Sequence, residues 1–272
     1  MVQIAFKKNE YNFFEIAQFV KLHKLKHFDV LTQAFEAKVL KDNNLDFLFN
    51  FINSFNEKTE IYSQLYQDMF AAFIVKKNLD KNFLEFGATD GINLSNSYLL
   101  EKKYNWAGVL AEPSPQWHSK LSNNRPDTKI ITDCVWSKSD IELDFFVSDV
   151  GVLSTINEFK FSDEKSLPGN TKTRVKNGYN VKVKSISLND LIIENFNSKS
   201  PSYISIDTEG SEFEILNNFD LKKFRPKVFT IEHNFTEVEE KIDKLMKINN
   251  YKRVFEKLTM FDAWYVSEEV IL

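Results

Sequence analysis

The sequence predicts an α/β fold, a mostly parallel sheet preceded by a helical extension. Three observations predict it. Beyond about residue 82, short apolar runs alternate with stretches of helical spacing, the pattern of strands joined by crossover helices. Residues 1 to about 60 carry helical spacing throughout, with no Gly or Pro to break it. Polar and acidic residues gather at the carboxyl ends of the predicted strands, where such sheets carry ligands.

The elements follow in order. Phe13, Phe14, Ile16, Ala17, Phe19 and Val20 recur on one helical face, as do Leu31, Phe35, Val39 and Leu40, then Leu45, Phe47, Leu48, Phe51 and Ile52. This segment, 1–60, predicts a helical cap or a dimer contact, and 61–272 a ligand-binding domain. Residues 61–78 predict another helix. Phe83-Leu84-Glu85-Phe86 predicts a strand ending at Gly87, and Leu94 to Lys103 a helix. A strand from Trp106 to Ala111 ends at Glu112, and a helix runs from about Pro115 to Leu121. Lys129 to Val135 predicts a single third strand. Ile204–Ile206 ends at Asp207 and is followed by a helix from Ser211 to Phe219. Val228–Ile231 ends at Glu232-His233-Asn234, before a helix from Glu237 to Asn249. Lys252–Glu256 and Ala263–Val266 close the chain as strands. An insertion from about 141 to 201 holds two alternating runs, Leu143–Val147 and Val181–Ile186. Its polar stretch from Ser162 to Gly178 predicts a lid or a disordered loop.

Composition excludes several classes. The net charge of −4 leaves no basic stripe for nucleic acid. One cysteine, Cys134, rules out an internal disulfide and paired-cysteine zinc sites. No apolar run approaches the roughly 18–20 residues of a membrane span, and the first residues lack a signal-peptide core. The expectation is a cytoplasmic protein.

The turn Glu85-x-Gly87-x-x-x-Gly91 joins a predicted strand to a helix. Glycine there lets backbone approach a ligand, and the helix start offers free N–H groups. A dinucleotide fingerprint needs Gly where Thr89 stands. The spacing fits the acidic-x-Gly-x-x-x-Gly turn that binds S-adenosylmethionine (SAM), with Glu85 near the methionine amino group. Glu112, at the end of the next strand, can accept from both ribose hydroxyls, and Asp133 can reach the adenine amino group.

The chain also resembles the FkbM family of SAM-dependent methyltransferases. The matching residues are Ser63-Gln64, Gln67-Asp68, Phe83 through Gly91, Ser95-Asn96, Leu100-Glu101-Lys102, Trp106-Ala107-Gly108, Glu112-Pro113, Ser205 through Glu212, Glu214-Ile215-Leu216 and Ile231 through Asn234. The resemblance covers roughly residues 61–267. It implies a Rossmann-like seven-stranded SAM-methyltransferase sheet with the last strand antiparallel, and O-methyl transfer to sugars or natural products, often in surface-polysaccharide biosynthesis. It implies cofactor contacts at Gln67, Glu85, Gly87, Ala88, Asp90, Gly91, Asn96, Glu112, Pro113, Asp133, Cys134 and Asp207.

Methyl transfer to an alcohol needs a proton acceptor or a metal that acidifies the hydroxyl. His233 and Asp207 are the catalytic candidates, His233 as base. Asp207, Glu232 and His233 form an alternative Mg²⁺ or Mn²⁺ set. Ser154, Thr155, Glu209 and Asn234 are candidates for the acceptor, a small molecule or sugar. Lys172, Arg174 and Lys176 form a small basic cluster in the proposed lid, read as a solvated loop. Trp117 is placed to flank adenine.

Overall fold

Asn12 opens the first helix with a capping box: its side chain accepts from Glu15 N at 2.9 Å, and Glu15 accepts from Asn12 N at 3.3 Å. That helix, α1 (Phe13–His23), is followed by α2 (His27–Glu36) and α3 (Leu45–Ile52), as the apolar spacing predicts. The computed structural model describes residues 3–56, 59–75 and 80–270. α4 (Gln67–Ile74) starts six residues later than the spacing suggests, because Tyr66 takes a left-handed conformation with φ 74° and blocks an earlier start. The end of that predicted helix, 76–78, lies outside the described residues.

The remaining elements are β1 (Asn82–Phe86), α5 (Tyr98–Tyr104), β2 (Ala107–Ala111), α6 (Pro115–Asn124), β3 (Lys129–Ile131), β4 (Cys134–Trp136), β5 (Glu142–Ser148), β6 (Thr155–Ile156), α7 (Pro168–Arg174), β7 (Gly178–Ser187), α8 (Leu188–Asn195), β8 (Tyr203–Ile206), α9 (Glu212–Asn217), β9 (Val228–Glu232), α10 (Val238–Ile248), β10 (Tyr251–Val254) and β11 (Asp262–Ser267). Seven strands form the main sheet, ordered β10-β11-β9-β8-β1-β2-β3. All pairs are parallel except those of β11, which runs antiparallel to both β9 and β10. This is the Rossmann-like sheet the resemblance implies. The strand order reverses beside β1, between β2 and β8, which fixes the ligand crevice at their carboxyl ends.

Three local expectations are corrected. Lys129 to Val135 is not one strand. The chain leaves the main sheet after Ile131 and enters a second sheet at Cys134, ordered β4-β7-β5-β6. The polar stretch of the insertion is likewise not a disordered loop, since it carries α7 with Thr171 and Arg174 buried. The insertion's two alternating runs pair antiparallel as β5 and β7 over seven registered positions, Glu142↔Lys184 to Ser148↔Gly178. The stretch from Leu94 also starts no helix. Leu94 has φ 62°, and α5 begins at Tyr98.

The N-terminal helices do not stand apart. Phe13 and Phe51 pack with Tyr66, Phe70, Phe255 and Trp264 in one buried aromatic cluster that also reaches Phe83 and Val228 of the sheet. Such pairs add about 0.5–1.5 kcal/mol each beyond area burial. A second core, built around Leu84, Ile204, Phe229, Ile215 and Met246, fills the other face. The sheet is thus covered on both sides. Among the described residues no helix is long and apolar enough to cross a membrane.

Candidate active site

Gly87 leaves β1 with φ 70°, where a Cβ would stand 2.1 Å from the carbonyl oxygen of Asp207. Only glycine lets the β1 turn lie this close to the β8 turn. The loop that follows is held by Glu85. Its carboxylate accepts from Asn96 N at 2.7 Å, from Ser95 Oγ at 3.0 Å and from Ser97 Oγ. Burial raises the Glu85 carboxyl, and the Arg125 guanidinium and these donors oppose it. Asp90 is used in the same way, accepting from Ile92 N, Asn93 N and Asn93 Nδ2 and pairing with Lys120 Nζ at 2.8 Å. Both acids shape the loop around the turn.

Against this turn lies a cavity of about 430 Å³. Of the sequence-predicted cofactor residues, Gly87, Ala88, Glu112, Pro113, Cys134 and Asp207 line it. Glu112 accepts from Thr89 N and from Ser114 N, each at 2.8 Å, so each oxygen keeps a lone pair for a further donor. Burial pushes its carboxyl up to about 7. Glu85, Asp90, Gly91, Asn96, Gln67 and Asp133 are not among the described lining residues. Gln67 instead donates to Asp262 at 2.9 Å and accepts from Leu65 N, while its neighbour in the motif, Gln64, reaches the cavity. Asn96 donates to Ser205 Oγ at 2.9 Å, tying the loop to β8. Asp133 sits at the break between the two sheets, aside from the lining. Trp117 packs beneath Gly151 and is likewise not a wall.

At the other end, Asp207, Glu209, Glu232, Asn234 and Phe235 close the cavity together with Phe14, Met260 and Phe261. Asp207, Glu209 and Glu232 each offer an oxygen within 4.8 Å of the others. Burial, then the neighbouring carboxylates, pushes Asp207 and Glu232 well above the usual carboxylate range. Glu209 is raised to about 7 by burial, opposed by Arg174. No Lys, Arg or His is among the described lining residues.

The sequence expectations for this end divide. Ser154, Glu209 and Asn234 line the cavity; Thr155 does not. Thr155 Oγ1 donates to the carbonyls of Thr208 and Glu209 at 3.1 and 3.0 Å, fastening the β8 turn. His233 is buried outside the lining, with Nδ1 accepting from Phe235 N at 3.1 Å. β9 ends at Glu232 and the chain turns at Asn234 with φ 48°, so Glu232 and Asn234 reach the lining and His233 between them does not. In the acidic group Glu209 therefore stands where the sequence placed His233.

Arg174 is also corrected. It is fully buried, not solvated, and all its bonds run inward. It donates to Leu153 O, Lys160 O, Asp163 at 2.7 and 3.2 Å, and Glu209 at 2.5 Å. The insertion thus grips the turn after β8 through Thr155 and Arg174. The aromatic wall of Phe14 and Phe261, edge to face at 5.8 Å, was also missed. Phe14 adjoins core Phe13 on α1, and spacing alone made both core.

Fold, glycine turn and the carboxylate at the end of β2 together define a SAM-dependent methyltransferase. The sequence matches the methyltransferase FkbM domain over residues 85–259. The chain belongs to the FkbM methyltransferase family. No curated protein matches it. Among solved structures, a putative caffeoyl-CoA O-methyltransferase from Staphylococcus aureus is similar at 13% identity, over 93% of this chain and 99% of that one, with a TM-score of 0.45. A TehB-like SAM-dependent methyltransferase from Corynebacterium glutamicum is similar at 7% identity, over 78% and 90%, with a TM-score of 0.39. The family rests on the sequence match, and these likenesses carry no argument of their own.

Proposed function

We propose that the chain methylates a hydroxyl of a sugar, glycan precursor or other small hydroxylated metabolite, in the cytoplasm and in the service of surface-polysaccharide or natural-product biosynthesis. The observation that carries this is the meeting of the Gly87 turn with Asp207 and Glu232 in one cavity. SAM supplies an electrophilic methyl group on a sulfonium. Glu112 would accept the ribose hydroxyls, and Gly87, Ala88 and Thr89, which line the same cavity, would hold the cofactor.

At the other end, Asp207 and Glu232 receive the acceptor hydroxyl. A carbon–oxygen bond forms as the carbon–sulfur bond breaks, and the hydroxyl proton passes to a carboxylate of this pair. Their raised affinity for a proton suits that task. Phe14, Met260 and Phe261 keep water from the reacting centre. The four carboxylates and the lack of a basic lining residue favour an acceptor that is uncharged or cationic where it reacts. A nucleotide sugar would have to keep its phosphates outside.

A second reading is favoured by the converging carboxylates: Mg²⁺ or Mn²⁺ would acidify the hydroxyl in place of a base. A melting-temperature comparison with SAM, its demethylated product and NAD tests the cofactor. Stabilisation by the first two and not by NAD is expected, and the reverse would make the chain a dinucleotide oxidoreductase. Release of demethylated cofactor across a panel of sugars and hydroxylated metabolites then tests the acceptor. Transfer only to amines or carboxylates would sink the hydroxyl reading.

A further inference from the structure

Resting on the methyltransferase reading, we propose that Asp207, Glu209 and Glu232 hold one divalent cation, Mg²⁺ or Mn²⁺, at the acceptor end of the cavity. The group differs from the set suggested by sequence, since His233 is outside it. Three features converge on it.

The first is geometry. The three carboxylates come from two adjacent strand ends and place one oxygen each within 4.8 Å of the others. An octahedral ion with oxygen ligands at about 2.1 Å brings neighbouring oxygens to roughly 3 Å and opposite ones to roughly 4 Å. Small side-chain rotations close that gap.

The second is an orphaned atom. Glu232 lines the cavity at 8% exposure, its Oε2 is buried and meets no protein donor, and its carboxyl stands against that of Asp207. A buried carboxylate oxygen left so costs free energy unless a ligand meets it.

The third is charge. Arg174 is the cation that meets this group, and it is shared: Asp163 takes two of its bonds and Glu209 one. Asp207 and Glu232 face no cation among the described lining residues. An all-oxygen donor set carrying surplus negative charge selects a hard divalent ion over a softer metal. All three residues line the cavity that the Gly87 turn also lines, so an ion held by them would be open to a hydroxyl bound there.

The test is a titration of the full chain with Mn²⁺, followed by electron paramagnetic resonance, with SAM-induced stabilisation measured on the same samples. One Mn²⁺ per chain is expected, displaced by Mg²⁺. Binding should weaken by at least about tenfold in Glu232→Gln and in Glu209→Gln, while stabilisation by SAM persists. Asp207→Asn gives a third variant should either fail to fold. No Mn²⁺ uptake at millimolar concentration, with SAM stabilisation intact, would overturn the site; the pair then shares a proton or meets an ammonium on the acceptor. Equal Mn²⁺ affinity in wild type and variants would overturn it too, by placing the ion elsewhere. A wild-type chain that SAM fails to stabilise would instead remove the methyltransferase reading, whatever Mn²⁺ does.

Discussion

The two ends of one cavity treat their acids in opposite ways. At the cofactor end, Glu85, Asp90 and Glu112 are each met by backbone N–H groups or hydroxyls, and Asp90 also by Lys120 of α6. At the acceptor end, Asp207, Glu209 and Glu232 face one another, and among the described residues the buried Arg174 from a distant segment partly offsets them. The first arrangement gives each acid its own donors. The second is assembled over long range and carries unbalanced charge, so it demands a ligand. Binding geometry can be built from a turn, whereas proton chemistry needs acids held in disagreement with their surroundings.

The largest expected effect strikes the long-range end. Arg174→Met leaves Asp163 and Glu209 buried without their partner, and unfolding should cost about 3–5 kcal/mol less in a denaturant melt. Arg174→Lys should recover part of it. A loss under about 1 kcal/mol would break the contrast, by showing the insertion merely leans on the turn.

Next comes the cofactor end. Glu112→Gln keeps the shape but loses the charge, and SAM affinity should fall by about ten- to hundredfold in calorimetry. Unchanged affinity would mean that the ribose lies elsewhere.

The same carboxyl sets a pH dependence. Burial raises Glu112 from 4.5 to about 7 in the folded chain. Its ionised form accepts the ribose hydroxyls, so SAM affinity should be full above about pH 7 and fall below it, by at most about tenfold per unit. The sign for stability is opposite. The folded group binds its proton more tightly than the unfolded one, so its contribution is fully present below 4.5 and is lost as pH rises through 7. Melting of the ligand-free chain between pH 5 and 8 reads this directly.

The smallest effect belongs to His233. Because its ring is outside the cavity lining, His233→Ala should leave methyl transfer within a few-fold of wild type and lower stability by about 1 kcal/mol, for the lost bond to Phe235 N. Loss of turnover with SAM binding intact would restore His233 as the base and redraw the acceptor end.

The same division governs what could be read in advance. Gly87, Glu112 and Asp207 sit at strand ends within a pattern of alternation, so period and turn chemistry sufficed. The aromatic core was visible as helical spacing, but which of Phe13 and Phe14 faces the cavity depends on how α1 docks. Arg174 and Glu209 are 35 residues apart, and no local rule joins them. The break after Ile131 carries neither Gly nor Pro to announce it. His233 directly follows β9, and the left-handed turn at Asn234 that leaves it outside the described lining has no signal in the spacing.

The excursion into the second sheet starts and finishes at one knot. Asp140 N meets Ser185 O at 2.9 Å, Ser185 N meets Ile141 O at 3.0 Å, Ser185 Oγ meets Lys138 O at 2.7 Å, and Ser187 N meets Ser139 Oγ at 2.8 Å. Everything between is a cassette fastened at its stem, and it carries Thr155 and Arg174 to the acceptor end. Exchanging that stretch would rebuild one wall of the cavity, from Phe145 to Asn170, and leave the register of the main sheet as it is.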